Sequence, residues 1–456
     1  MSATHGIGGD PEEALRLARE VVEAAESAGA DEAEALVVAG ESALTRFANS
    51  EIHQNVSSAE VYVNLRFVKG GRVGVANTGR MDAEGVRSLV ERATAITAHV
   101  DELEAWPGLP GPEPFEPVTG AWSDGTAHAT PELRAEGARA VIAAADEAGV
   151  TAYGSFSHEV EAYAVANSHG VGIAERRTNA QLLTVTMGPD KGTGYAEQCH
   201  VDATAIDAAA IGREAAQLAR ASANPVELVP GDYPVVLTSY AVVDVLDMLG
   251  YLGFTALAVQ EERSFFEPGK RVASPLVSVA DDSRDPAGLP VGFDAEGVPK
   301  RRLELLAEGV CRDLAYDVAT AARAGVRSTG HGLPAPNPYG PFPTNMVMAA
   351  GDRSLDELIG GMERGLLVTR FWYTNPVHQK KVIITGMTRD GTFLVEGGRI
   401  VGPVRNLRFT ESYLDVLAAV DAVSRERRCI KGFLGGSVVP AVRASSFTFT
   451  GVTADE

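Results

Sequence analysis

One run of this chain constrains its fold more than any other. It is YPVVLTSYAVVDVLDMLGYLGFTALAVQEERSFF, residues 233–266. After the turn Pro230-Gly231-Asp232 comes a short apolar strand, 233–237. Thr238 or Ser239 then offers a side-chain oxygen to the free N–H groups of a first helical turn. In the stretch that follows, Val242, Val245, Leu246, Leu249, Leu252 and Phe254 include spacings of three and four that share one helical face, which predicts a helix of about twenty residues. It is apolar almost all round, interrupted by Asp244 and Asp247. Such a helix needs a core on every side, so the fold has to be built around it.

A buried helix of this kind is where some peptidases carry two metal-binding His, spaced so that both imidazoles reach one ion. Here the run Leu246-Asp247-Met248-Leu249-Gly250-Tyr251 contains no His. Asp247 alone cannot hold zinc, which commonly takes three protein donors in a catalytic site. Its plainer role is a buried carboxylate that accepts hydrogen bonds.

At 456 residues the chain has room for two or three domains. Its net charge of −21 argues against binding nucleic acid through the overall field. Cys199, Cys311 and Cys429 are far apart and show no CxxC spacing, as expected of reduced thiols in a cytoplasmic protein. The first residues, MSATHGIGGDPEE, show no signal peptide, and no run predicts a membrane span.

Residues 1–10 read as disordered. Pro11, Glu12 and Glu13 suit the start of a helix that stops at Gly29. Alternating segments follow at 34–38, 42–47, 52–56, 60–68 and 72–77. Lys69-Gly70-Gly71 turns the last two into a hairpin, and a helix over 82–98 closes the unit. The unit then recurs. A helix over 133–149 carries AAADEAG, echoing AAESAG at 24–29, and Ala166-Asn167-Ser168 repeats Ala48-Asn49-Ser50. A hairpin, TVTMGPDKGTGYAE, precedes a helix over 205–221. The pattern predicts an N-terminal domain, 11–225, made of two α/β-meander repeats at about 11–105 and 129–225. Together they would form one long antiparallel sheet with helices on one face, joined through the Pro- and Gly-rich linker 106–128. The Ala-Asn-Ser pairs read as turns, with a functional role as the alternative.

Ala223-Asn224-Pro225 marks the boundary to residues 226–456. Besides the central helix this part carries β segments at 276–280, 366–373, 381–389, 392–395, 399–403 and 404–409. Asp390-Gly391 and Gly397-Gly398 read as hairpin turns, and helices are expected over 354–364 and 410–422. This predicts a β-rich, barrel-like domain, and the fold class is α+β.

Asp281, Asp282, Asp294 and Glu296 are spaced closely enough for a hard cation, although not as an EF-hand, and turn capping is the plainer reading. His331 and His378 are the only His after the central helix. With Cys311 or Cys429 they could build a zinc site, but nothing in their spacing supports one. Ser437 has no visible general-base partner, and no GxSxG, phosphate-loop or dinucleotide fingerprint is present.

Several segments, in this order, resemble the TldD/PmbA (TldE) family, a two-subunit metallopeptidase. They are the central helix, Asp281-Asp282 with PAGLPVGFDAEGVPKRR (286–302), GGMERGLLVTRF (360–371), GTFLVEGGRIVGPV (391–404) and GGSVVPAVR (435–443). In that family's TldD subunit a His-Glu-x-x-x-His motif lies on the corresponding helix. Matched on Gly250, Leu246 and Tyr251 fall where its two His would be, and Asp247 where its Glu would be. The stretch 433–437 likewise lacks the Cys that resembles a third ligand. The chain is therefore similar to the PmbA/TldE subunit. The resemblance implies no cofactor in this chain and zinc in a TldD-type catalytic partner. It also implies a heterodimer (a homodimer when isolated) and an unfolded or flexible peptide or peptide precursor as substrate. It places the Pro-rich loop 334–345 near the substrate channel, with Arg327 and Asn345 as candidate peptide contacts. Two other readings stay open. One is an autonomous metallopeptidase using Asp247, His331 or His378 as ligands. The other is a non-enzymatic peptide-binding regulator.

Overall fold

The computed structural model describes residues 9–103 and 105–453. The stretch expected to be disordered, 1–10, lies outside the described residues except for Gly9 and Asp10. Asp10 caps the first helix, its Oδ1 accepting the N–H of Glu12 at 2.9 Å.

The chain runs α1 (Pro11–Ser27), β1 (Glu32–Ala48), β2 (Glu51–Lys69), β3 (Arg72–Thr78) and α2 (Ala83–Thr97). It continues with α3 (Asp124–Ala127), α4 (Pro131–Ala148), β4 (Thr151–Asn167), β5 (Gly172–Met187), β6 (Thr193–His200) and α5 (Ala208–Ala221). The six strands form one antiparallel sheet in the order β3-β2-β1-β4-β5-β6, so the two repeats meet along β1 and β4. The four short segments expected between residues 34 and 68 are two strands of 17 and 19 residues. Gly40 is not a break. A Cβ there would run into the carbonyl of Val160, so glycine is what lets β4 lie close against β1.

Alternation along the strands sorts the two faces. Ala35, Val37, Val63, Leu65 and Phe67 pack under α1 and α2, while Phe47, Ala152, Phe156 and Leu182 pack under α4 and α5. The opposite face carries Leu36, Tyr163 and Val165, which meet Phe293 and Ala295 from the C-terminal part. The helices therefore share one face, and the second domain covers part of the other.

The repeated Asn-Ser pairs are reciprocal latches between the repeats. Ser50 donates its N–H to Ala152 O (3.0 Å), and its Oγ accepts the Ala152 N–H (3.1 Å). Ser168 does the same with Ala33, at 2.9 and 3.0 Å. Each serine thus holds the start of the other repeat's first strand.

The C-terminal part begins with β7 (Asp232–Leu237), α6 (Ser239–Leu252), α7 (Ala256–Gln260), β8 (Val279–Asp281), β9 (Leu303–Ala307) and β10 (Val310–Cys311). After α8 (Val318–Ala324), β11 (Met346–Met348) and α9 (Leu355–Gly360) come β12 (Arg364–His378), β13 (Ile383–Glu396) and β14 (Arg399–Pro403). It ends with β15 (Leu407–Ser412), α10 (Tyr413–Ala418), β16 (Val420–Lys431) and β17 (Gly436–Val452). β7 pairs in parallel with β12 and antiparallel with β17, which closes β7, β12, β13, β15 and β17 into a ring. The expected barrel character is realised in that closure. Val242, Val245, Leu246, Leu249 and Leu252 of α6 are at most 1% exposed, in a core shared with the ring. The helix is shorter than expected because Gly253 ends it, where a Cβ would strike the ring of Phe265.

Other expectations here need correction. β16 and β17 were not anticipated, since Pro440 argues against an interior strand. It sits opposite Arg427, next to a register shift that spares the missing N–H. Residues expected in a helix over 410–422 are divided between β15, α10 and β16. Asp390-Gly391 is a bulge within β13, not a hairpin. There the buried Asp390 carboxylate accepts Arg370 Nε at 2.6 Å, a charge-assisted bond that holds β12 to the bulge. The strand expected at 276–280 begins only at Val279. No described helix is long and apolar enough to cross a membrane.

Candidate functional site

Thr238 fixes the start of α6. Its Oγ1 accepts the Tyr240 N–H and donates to Thr369 O of β12 at 2.6 Å. Two turns on, Leu246 points into the main core and offers no donor. Tyr251 is half-buried, with its ring edge-on to Phe342 and Phe433 at centroid distances of 5.5 and 5.8 Å. Phe433 itself is exposed.

Asp247 lies between them, 3% exposed. Its Oδ2 accepts the Phe433 N–H at 2.6 Å, and Oδ1 has no hydrogen-bond partner. Burial pushes the carboxyl up to about 7. The Phe433 N–H opposes that shift and the neighbouring Asp244 adds to it. Asp244 is engaged elsewhere, accepting from Tyr413 Oη (2.6 Å) and Thr374 Oγ1 (2.7 Å). The three positions therefore present an aliphatic chain, a carboxylate with one open oxygen and an aromatic ring. A catalytic zinc needs about three protein donors, and this set does not fit it. Among the described residues no group of three or more His, Cys, Asp or Glu is placed to hold a metal ion.

The remaining candidates fall into separate environments. His331 is buried, its Nε2 3.2 Å from Asp281 Oδ1 and its Nδ1 2.9 Å from Thr329 Oγ1. Lys300 reaches the same carboxylate at 3.8 Å and donates to Thr344 Oγ1. Burial pushes the Asp281 carboxyl up, but Lys300 and His331 outweigh it and hold it well below the usual range. Asn345 is 5% exposed and spends its polar atoms locally. It donates its N–H to Asp281 Oδ2 and its Nδ2 to Leu289 O, and accepts from Thr344 Oγ1. Arg327 is exposed after α8, and His378 is exposed near the end of β12. Cys311 is in the main core, and Cys429 lies against Cys199.

Asp294 and Glu296 cap turns from buried positions, 6% and 5% exposed. Asp294 accepts the N–H groups of Glu296, Val298 and Gly332, and Glu296 accepts that of Val318. Arg66 of β2 lies 3.4 Å from both Glu296 and Glu34, bridging the two domains. Burial pushes Glu34 up to about 7 although Arg66 opposes it. Sequence reasoning missed Glu34 and Arg66. The available signal was a charged pair set inside otherwise apolar strand runs, where such residues are seldom left unpaired.

A cavity of about 510 Å³ lies at the other end of α6. Leu218, Tyr240, Leu367, Phe393, Ile400 and Ala441 are among its lining residues.

Three family profiles match the chain in order: the PmbA/TldA metallopeptidase domain 1 over residues 33–97, the central domain over 126–223 and the C-terminal domain over 230–451. The crystal structure of TldE from Thermococcus kodakarensis superimposes with a TM-score of 0.87 at 21% identity, covering 95% of this chain and 100% of that one. A metalloprotease TldD homolog of Buchnera aphidicola is 27% identical over 231 residues, 48% of this chain and 46% of the relative. The match thus spans about half the length of that relative. An uncharacterized protein of Methanocaldococcus jannaschii is 26% identical over 305 residues, 65% of this chain and 69% of its own.

Proposed function

The chain belongs to the PmbA/TldD metallopeptidase family, and on that premise we propose that it is the non-catalytic, metal-free subunit of a two-subunit zinc peptidase. The observation that carries this reading is the chemistry of α6. Where the resemblance expects two imidazoles and a general base, the helix presents Leu246, Tyr251 and a single buried carboxylate, Asp247. On this reading a TldD-type partner in the cytoplasm supplies the zinc, the activated water and the base. This chain completes the cleft and helps hold an unfolded or flexible peptide. Recognition of extended backbone, through main-chain hydrogen bonds, would tolerate many sequences.

The test is zinc per chain after weakly held metal has been stripped, followed by co-purification with a TldD-type subunit and a peptide-cleavage assay on each alone and on the mixture. The expected result is near-zero zinc in this chain and turnover that requires the partner. Stoichiometric zinc in the isolated chain overturns the reading. A stable mixture that binds peptide without cleaving it makes the chain a peptide-binding regulator instead.

A further inference from the structure

At the seam between the domains, Cys199 of β6 and Cys429 of β16 bring their sulfurs to 3.0 Å. A disulfide bond is about 2.05 Å long, so roughly 1 Å of closure separates this pair from a covalent link. We propose that Cys199 and Cys429 are an oxidisable pair that forms an interdomain disulfide by exchange with a low-molecular-weight disulfide.

The pair is asymmetric, and the asymmetry sets the order of events. Cys199 is 2% exposed, while Cys429 is partly open to solvent next to the exposed Arg427 and Arg428. Cys199 donates its S–H to Cys429, and that bond, with burial, holds the Cys199 thiol up. Cys429 is therefore the accessible nucleophile. Cys429 is also flanked on its strand by residues engaged across the seam, Arg428 paired with Glu214 at 2.8 Å and Lys431 3.5 Å from Glu159, which hold β16 against the N-terminal part. The Cys429 thiolate attacks one sulfur of the small disulfide, forming a mixed disulfide and releasing one small thiolate. Cys199 then loses its proton and attacks the Cys429 sulfur. The protein disulfide forms, and the second small thiolate leaves. Two protein thiols and one small disulfide become one protein disulfide and two small thiols, the two protons passing to the released thiolates.

The link would tie positions 230 residues apart and pin β6 to β16. Closing so long a loop restricts the unfolded chain, so the oxidised form should melt at a higher temperature than the reduced form.

The experiment incubates the full chain with oxidised glutathione, traps remaining thiols by alkylation under denaturing conditions and maps the digest without reductant. The expected result is a fall from three alkylatable thiols to one, Cys311, in a chain that stays monomeric on a non-reducing gel. A peptide joining residues 199 and 429 should appear and vanish on reduction. Cys311→Ser should still form it. Cys199→Ser should stop at a glutathione adduct on Cys429. The proposal is overturned if the wild-type chain keeps three thiols, stops at that adduct, or links through Cys311 or between chains.

Discussion

The Asp247 carboxylate accepts the backbone N–H of Phe433 at 2.6 Å, while its second oxygen has no hydrogen-bond partner. The metal-motif position of the central helix is thus an anchor for the segment leading into β17. Its carboxyl is held near 7, against about 3.9 in an unfolded chain, so between those values the native state holds a proton that the unfolded state has lost. This contribution is present in full below about pH 4 and is lost as pH rises through 7, at most about 4 kcal/mol. Asp247→Asn keeps an acceptor for Phe433 and cannot ionise. Its stability relative to wild type, measured by urea unfolding, should improve steadily from pH 5 to pH 8. A difference independent of pH would show that the carboxylate is not ionising at a cost.

Arg66 is the cation between Glu34 and Glu296. Arg66→Met leaves two buried carboxylates without it and should cost about 3–5 kcal/mol at pH 8. Glu34 already has a raised pKa, so its protonated form is the one the native state favours, and the loss should shrink by pH 5. Adding Glu34→Gln should recover part of the stability at pH 8, read by denaturant midpoint. No recovery would mean that the guanidinium acts mainly through packing.

The reciprocal serine latches predict a symmetric pair of effects. Ser50→Ala and Ser168→Ala each remove the acceptor for one strand-initiating N–H and should each cost about 1 kcal/mol. They share no partner, so the double variant should show close to the sum of the two. Equilibrium unfolding of the three variants checks this.

Grafting the motif tests the helix register. Leu246→His, Asp247→Glu and Tyr251→His together supply two imidazole donors, one short of the usual three, so the chain should gain weak zinc binding, read by titration against the wild type. It should lose about 2–5 kcal/mol, because Leu246 leaves the core. Far-UV circular dichroism establishes that the variant is folded. A folded variant without zinc would count against this alignment of the motif.

Much was legible in the sequence because it is a local matter. The apolar periodicity from Val242 to Leu252 required a buried helix. The echoes around Ala48-Asn49-Ser50 and Ala166-Asn167-Ser168 exposed the duplication. The absence of His from α6 needed no structure at all. Strand lengths were harder. Gly40 and Asp390-Gly391 carry turn chemistry, but their role depends on which strand lies opposite.

The sequence by itself therefore determined which segments must be buried and which donors the central helix lacks. Only the tertiary structure decided that β17 crosses its proline to close a ring with β7, that Arg66 stands between Glu34 and Glu296, and that Cys199 meets Cys429. Each of these relations joins residues far apart in the chain. Periodicity reports the burial of a residue along its own element, whereas the choice of partner depends on chain closure and packing across the whole molecule.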